Sequence, residues 1–312
     1  CIRDSNNTPQ INDIEGLGGM RFQRFMSTMK LPSFSKLDLS SVDTLSDSPI
    51  PFETVFVNDK GYSDVRHINL SNTKFWSGNI GQGTFTVNIE KYTKLKDLNI
   101  SSSIVTSISL PNASLASLNI TNSAVEGISL VNQPFLDRLD FSGCKRLKTV
   151  TVDSCDKITE LNLSNLGDLH TIRITSCPNL KSIICTNNVN LTTFNVSNCN
   201  NVEIINISQC TNAALTVYIV GVPNIKELNV SSTNTPNDIQ VASSLPNLRT
   251  LNISNSQVSA IQYGNAAVPT YKENKIFDVS KLNLTSLSVQ NAKGIHYFKF
   301  DNNRNTPFNV SG

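Results

Sequence analysis

From Leu98 onward, apolar and polar residues alternate in three-residue phrases that return at a nearly fixed interval. Leu98-Asn99-Ile100, Leu118-Asn119-Ile120, Leu139-Asp140-Phe141, Leu161-Asn162-Leu163, Ile183-Ile184-Cys185 and Ile205-Asn206-Ile207 begin 20, 21, 22, 22 and 22 residues apart. A second phrase falls between each pair: Ile108-Ser109-Leu110, Ile128-Ser129-Leu130, Val150-Thr151-Val152, Ile172-Arg173-Ile174 and Phe194-Asn195-Val196. Alternation with a period of two is the mark of a half-buried strand. The outer residues of each phrase point inward and the middle one points out. Small polar runs such as Ser101-Ser102 then turn the chain, and a further apolar residue (Leu147, Leu169, Leu180) precedes the next phrase. Self-similarity at this period predicts a solenoid, because one coil cannot bury its inward row without a coil above and below. Two phrases per coil predict two parallel sheets on opposite flanks, with coils about 4.8 Å apart. The expected fold is a mainly β solenoid with two short parallel strands per coil, weak curvature and little helix.

The phrase Ile183-Ile184-Cys185-Thr186-Asn187-Asn188, followed by Phe194-Asn195-Val196-Ser197-Asn198-Cys199, resembles bacterial leucine-rich repeat proteins of the internalin-like type. Those have short repeats of about 21 residues. The resemblance runs from 87 to 303 and implies a leucine-rich repeat fold. Such repeats serve adhesion, invasion, scaffolding and assembly. The chain departs from the pattern at the ladder position behind the strand. There the family usually has Asn, and this chain mostly has Cys, Ser or Ala. Half-coils of ten and eleven residues also mix.

Taken in order, residues 1–10 read as a polar tether behind Cys1. A Cys at that place is what lipoprotein processing leaves, so Cys1 is the expected lipid anchor, holding the chain to a membrane surface. A fragment boundary that happens to fall on Cys is the alternative. Residues 11–97 read as an N-terminal cap and irregular repeats with long insertions. Met20 to Met29 has near-helical apolar spacing and is expected to close the open end of the core. Leu37-Asp38-Leu39 and Ile68-Asn69-Leu70 are early repeats, 31 residues apart and followed by 30 more before Leu98. The excess must leave the solenoid as loops. Residues 98–303 form the regular array, with an insertion at 262–276, and 304–312 form a tail. Insertions in a repeat array often carry binding, so Tyr62, Phe75, Trp76, Tyr263 and Tyr271 are the expected partner contacts.

Charged residues make up 16% of the 312 residues and the formal net charge is +2. That balance argues against a nucleic-acid partner, which needs a clustered basic face. No run of 18 apolar residues is present to span a membrane as a helix. Cys144, Cys155, Cys177, Cys199 and Cys210 each sit five residues after the first apolar residue of a phrase, and Cys185 takes an inward strand position. These are expected to be buried free thiols. Disulfides between stacked neighbours would need a torsion that parallel side chains reach with difficulty. The Asn residues at the middle of the phrases are expected to stack as amide ladders. No P-loop, Gly-x-Ser-x-Gly or His-Glu-x-x-His motif occurs, and the three histidines lie beside strands of separate coils. No metal and no cofactor is expected. The reading is a non-catalytic, lipid-anchored outer-membrane protein of the cell surface that mediates protein–protein interaction, either adhesion to a host ligand or association with an outer-membrane complex. The alternatives are a structural module of a larger extracellular or phage assembly, and a glycan-binding accessory subunit of a nutrient-uptake complex.

Overall fold

The structure, a computed structural model, describes residues 64–75 and 86–234 without a gap. It continues as 239–241, 245–258, 261–263, 276–279, 284–292 and 297–299, with short pieces at 2–3, 9–10, 13–14, 35–38, 40, 43–44 and 308–309. The chain forms two compact units, residues 1–147 and 148–312.

In the first unit, Asp13–Ile14, Lys36–Asp38, His67–Asn69, Asp97–Asn99 and Ser117–Asn119 form one parallel sheet. Thr86–Asn88 pairs in parallel with Ser107–Ser109, and Asp43–Thr44 with Lys74–Phe75. Ile2–Arg3 pairs antiparallel with Pro9–Gln10. Leu37, Ile68 and Leu98 share one inward row and are all but fully buried.

The second unit carries the longer ladders. One flank stacks Thr149–Asp153, Thr171–Thr175, Thr193–Ser197, Thr216–Val220, Ile239–Val241 and Ile261–Tyr263. The other stacks Glu160–Asn162, Ser182–Ile184, Ile204–Asn206, Glu227–Asn229, Thr250–Asn252, Ser286–Ser288 and Phe308–Asn309. All these pairings are parallel, and the described residues contain no α-helix. Val150, Ile172, Phe194 and Val217 face one another in register and are buried. Removing each such side chain from water contributes about 1.5–3 kcal/mol.

The corners follow a rule of their own. After most of the described strands one residue takes a left-handed conformation: Asn72, Asn122, Asn165, Asn187, Asn198 and Asn255 among them, with φ between 53° and 61°. Asn tolerates that region better than other non-glycine residues. The N–H of the left-handed residue then extends the ladder, as Asn165 does to the Thr186 carbonyl at 2.9 Å and Asn187 to that of Ser208 at 3.0 Å. Next comes the ladder residue, which opens a tight turn closed by the buried apolar residue three positions on. Leu180 N–H donates to the Cys177 carbonyl at 3.3 Å and Leu169 to that of Leu166 at 2.9 Å.

Two expectations change. Leu139-Asp140-Phe141 is not a strand, and Leu139 is only half-buried, although Phe141 is buried. The half-coil lengthens here: Leu118 to Ile128 spans ten residues and Ile128 to Leu139 spans eleven. Asp140 turns Oδ1 onto Ser142 N–H at 2.8 Å, and the coil joins its neighbour at the corner instead, where Asn122 N–H donates to the Ser142 carbonyl at 2.8 Å. Five residues after Ile128, the buried Gln133 side chain takes the ladder position, accepting from Leu115 N–H at 3.0 Å and donating to the Pro111 carbonyl at 2.7 Å. The mid-phrase Asn residues also behave otherwise. Asn69, Asn99, Asn119, Asn162, Asn206, Asn229 and Asn252 turn Oδ1 onto their own chain two residues ahead, an Asx turn, as Asn99 does to Ser101 N–H at 3.0 Å and Asn162 to Ser164 at 3.1 Å. Amide stacking at this position is seen where Asn69 Nδ2 donates to Asp38 Oδ2 at 3.2 Å. Ladders of Asn side chains form at the turns instead. Asn179, Asn201, Asn224 and Asn247 each donate to a backbone carbonyl of the preceding coil at 2.8–3.1 Å. The local bond wins in the strand because its partner is already in place, whichever coil lies alongside.

Candidate surface for partner recognition

The outward face of the first unit's sheet holds a shallow open cavity of about 310 Å³. Two register columns line it. Lys36, His67, Asp97 and Ser117 stand one residue before the buried row, and Asn69, Asn99 and Asn119 stand one residue after it. Strand alternation sends both columns to the same side. His67 Nδ1 and Asp97 Oδ2 are 2.6 Å apart, with the two side chains 50% and 43% exposed. The order of the first column restricts its chemistry. Asp97 lies between His67 and Ser117, so the imidazole and the hydroxyl are two strands apart, about 9.6 Å at the usual spacing. Proton transfer from a hydroxyl needs about 3 Å, so His67 cannot activate Ser117.

Hydrogen-bond accounting gives this face its character. Asn99 Oδ1 accepts from Ser101 N–H at 3.0 Å and Asn119 Oδ1 from Thr121 N–H at 3.2 Å. Those bonds fix both side chains in the turn, and the Nδ2 donors make no hydrogen bond among the described residues. Nearby, Lys94 pairs with Asp64 at 2.7 Å. That pairing holds the Asp64 carboxyl below its ordinary range. Lys96 Nζ lies 4.7 Å from the centre of the exposed Phe135 ring.

In the second unit the corresponding outward column on one flank is Thr151, Arg173, Asn195, Tyr218 and Gln240. Arg173 and Tyr218 are exposed. Arg and Tyr are the residue types that most often anchor interfaces.

The cysteines lie inside. Cys144, Cys155, Cys177, Cys185, Cys199 and Cys210 are free thiols and are 0% exposed. Cys177 N–H donates to Cys199 Sγ at 3.5 Å, and Cys210 Sγ–H to the Cys185 carbonyl at 3.1 Å. Burial pushes the Cys144 and Cys185 thiols up from their ordinary value. The described residues hold no cluster of three or more His, Cys, Asp or Glu side chains fit for a metal ion, and none of their helices is long and apolar enough to cross a membrane.

Of the residues expected to act, Cys1, Tyr62, Trp76 and Tyr271 lie outside the described residues. Phe75 falls in the strand Lys74–Phe75 and Tyr263 in Ile261–Tyr263; only their backbones are described. The helix expected at 20–29 and the third histidine, His296, also lie outside them. The His67–Asp97 pair escaped the sequence reading. Its signal was available: both residues directly precede the first apolar residue of their phrases, so aligning the phrases places them side by side.

The profile of the family described as At1g61320/AtMIF1, LRR domain, matches residues 20–271. No curated protein matches. Among solved structures the chain is similar to an LRR protein of Leptospira interrogans, at 14% identity over 84% of this chain and 79% of that one, with a TM-score of 0.22. It is similar to the plant peptide hormone receptor RGFR1, solved in complex with RGF2, at 12% identity over 90% and 63% of the two chains, TM-score 0.22. It is also similar to YopM from Yersinia enterocolitica WA-314, at 14% identity over 97% and 89%, TM-score 0.19.

Proposed function

From the premise that this chain belongs to the At1g61320/AtMIF1 LRR-domain family, we propose that it is a non-catalytic protein-interaction module whose first unit holds a partner segment in the groove of Lys36, His67, Asp97, Asn99 and Asn119. The observation that carries the reading is the arrangement of that groove. It is open and shallow, at about 310 Å³, and two in-register columns of polar side chains stand over a buried apolar row. Enclosed sites for small molecules bury most of their ligand. A row of polar side chains repeating at the strand spacing instead suits a chain lying across the coils.

A photo-reactive residue at Asn119 should give one adduct of defined mass when the protein is expressed in its source cells. The same probe at Ser109, on another strand, should give none. The adduct should disappear when Asp97→Lys reverses the charge beside His67. Equal adducts at both probes, or an adduct indifferent to Asp97→Lys, would sink the reading. Saturable binding to a glycan array through the groove would favour the glycan-binding accessory role instead.

The finer reading places this module on the outer membrane, held by a lipid on Cys1, as an adhesin or a member of an outer-membrane complex. The residue type and the polar segment behind it support this. Incorporation of labelled palmitate by the full precursor, abolished by Cys1→Ser, is the expected outcome. Unlabelled protein would leave the structural module of a larger assembly as the better account.

A further inference from the structure

On the flank of the second unit built from Thr149–Asp153, Thr171–Thr175, Thr193–Ser197 and Thr216–Val220, the central outward column is Thr151, Arg173, Asn195 and Tyr218, continued by Gln240. Arg173 and Tyr218 are exposed, Tyr218 at 41%. They stand one coil to either side of the half-buried Asn195. The side chains of Arg173, Asn195 and Tyr218 make no hydrogen bond, ion pair or ring contact among the described residues. Within one chain the cation and the ring are two coils apart, about 9.6 Å at the strand spacing. A cation has to come within about 6 Å of a ring centre to be attracted by it.

This order is self-complementary. A two-fold axis lying along Thr193–Ser197 reverses the order of the coils and keeps the strand direction. It carries Arg173 of one copy onto Tyr218 of the other, and Tyr218 onto Arg173. Asn195 meets its own equivalent, and a primary amide can both donate to and accept from a second amide. Such an interface is isologous, each contact being made twice. Packed sheets lie about 10 Å apart, a gap that an Arg stem and a Tyr ring fill together. The outward strand positions beside the column at these three coils are Thr171, Thr193 and Thr216 on one side and Thr175, Ser197 and Val220 on the other. None is charged, so no like charges meet. The opposite flank lacks this property. Its outward columns expose the carboxylates Glu160 and Glu227, and from Glu160 to Asn252 they contain no Arg, Lys or aromatic residue.

We propose that a second copy of this chain packs on this face across that two-fold axis, with guanidinium over ring at both Arg173–Tyr218 contacts and the two Asn195 amides paired at the centre. Five-residue strands over four coils cover roughly 17 by 19 Å, less than the roughly 800 Å² per partner of a standard interface. The dimer is therefore a weak, reversible one. It shares no residue with the groove of the first unit, so either proposal can fail without the other.

Sedimentation equilibrium of the full chain should show reversible dimerisation as its concentration rises to about 1 mM, the weak end of specific association. Tyr218→Arg sets guanidinium against guanidinium at both contacts and should weaken the dimer about tenfold or more. Adding Arg173→Tyr to Tyr218→Arg exchanges the two groups, and the same axis again brings cation onto ring. The double variant should return to within about threefold of the parent. Asn229→Arg adds the same charge to the opposite flank and should leave the association unchanged. Matching unfolding midpoints separate loss of the contact from loss of the fold. A parent that stays monomeric throughout would overturn the proposal. So would a dimer indifferent to Tyr218→Arg, a double variant as weak as Tyr218→Arg, or an equal loss from Asn229→Arg.

Discussion

Asn188 reaches back one coil to accept the backbone N–H of Leu166 on its Oδ1 at 2.8 Å. The same side chain donates through Nδ2 to the Leu163 carbonyl at 2.8 Å, and it is 0% exposed. It occupies the ladder position five residues after Ile183. Other occupants of that position solve the problem differently. Cys144 and Cys210 donate Sγ–H to the carbonyls of Ile120 and Cys185 in the preceding coil at 3.0 and 3.1 Å. Thr73, Ser103, Thr233 and Ser256 bond back to their own coil three residues earlier at 2.6–2.9 Å. Asn188 and these two thiols bridge coils; the hydroxyls close their own corner.

Asn188→Ala should therefore cost more than loss of a ladder hydroxyl. It strands one buried donor and one buried acceptor at about 1–3 kcal/mol each, so roughly 2–6 kcal/mol in urea unfolding. Ser256→Ala removes one hydroxyl bond to the Ile253 carbonyl, which keeps the backbone N–H of residue 256 at 3.3 Å, and should cost about 1 kcal/mol. Asn188→Cys, which places the native alternative there, should recover part of the loss. If Asn188→Ala proves no worse than Ser256→Ala, the bridging role is wrong.

At Gly143 the backbone φ is +73°, and a Cβ placed there would lie 2.0 Å from Asn122 Oδ1 in the preceding coil. Gly143→Ala should lower stability by about 1–3 kcal/mol, combining left-handed strain with that contact. Gly167 has nothing within 4 Å of the same added atom, so Gly167→Ala should stay within about 0.5 kcal/mol. Equal melting temperatures for the two variants would contradict this account.

Burial of Cys144 and Cys185 costs stability at alkaline pH. Burial raises Cys144 and Cys185 above the ordinary thiol value, whereas in the unfolded chain they ionise near pH 8.5, on the order of the free value. Above that pH the native state holds more protons than the unfolded one, so stability falls as pH rises. Below it the contribution is fully present. The melting temperature should hold up to about pH 8.5 and then decline. Cys144→Ser with Cys185→Ala should flatten that decline. Parallel curves for parent and variant between pH 8 and 10, roughly the window set by the free thiol, would dismiss the thiols as its cause.

The alternation of apolar and polar residues, the spacing of the phrases and the turn residues between them determined the solenoid, its flanking parallel strands and the inward place of the cysteines. Those features rest on a residue and its neighbours within half a coil, where strand geometry alone fixes which side faces in. Only the tertiary structure decided where each polar side chain found its partner. His67 meets Asp97 across 30 residues, Gln133 reaches the Leu115 N–H of the preceding coil, and Leu139-Asp140-Phe141 forms no strand. The strand Asn residues turned to their own chain, and Asn188 bridged to the preceding coil. These outcomes depend on the register of one coil against another, which a single insertion shifts, and on competition between a local hydrogen bond and a distant one that differ by about a kilocalorie or less.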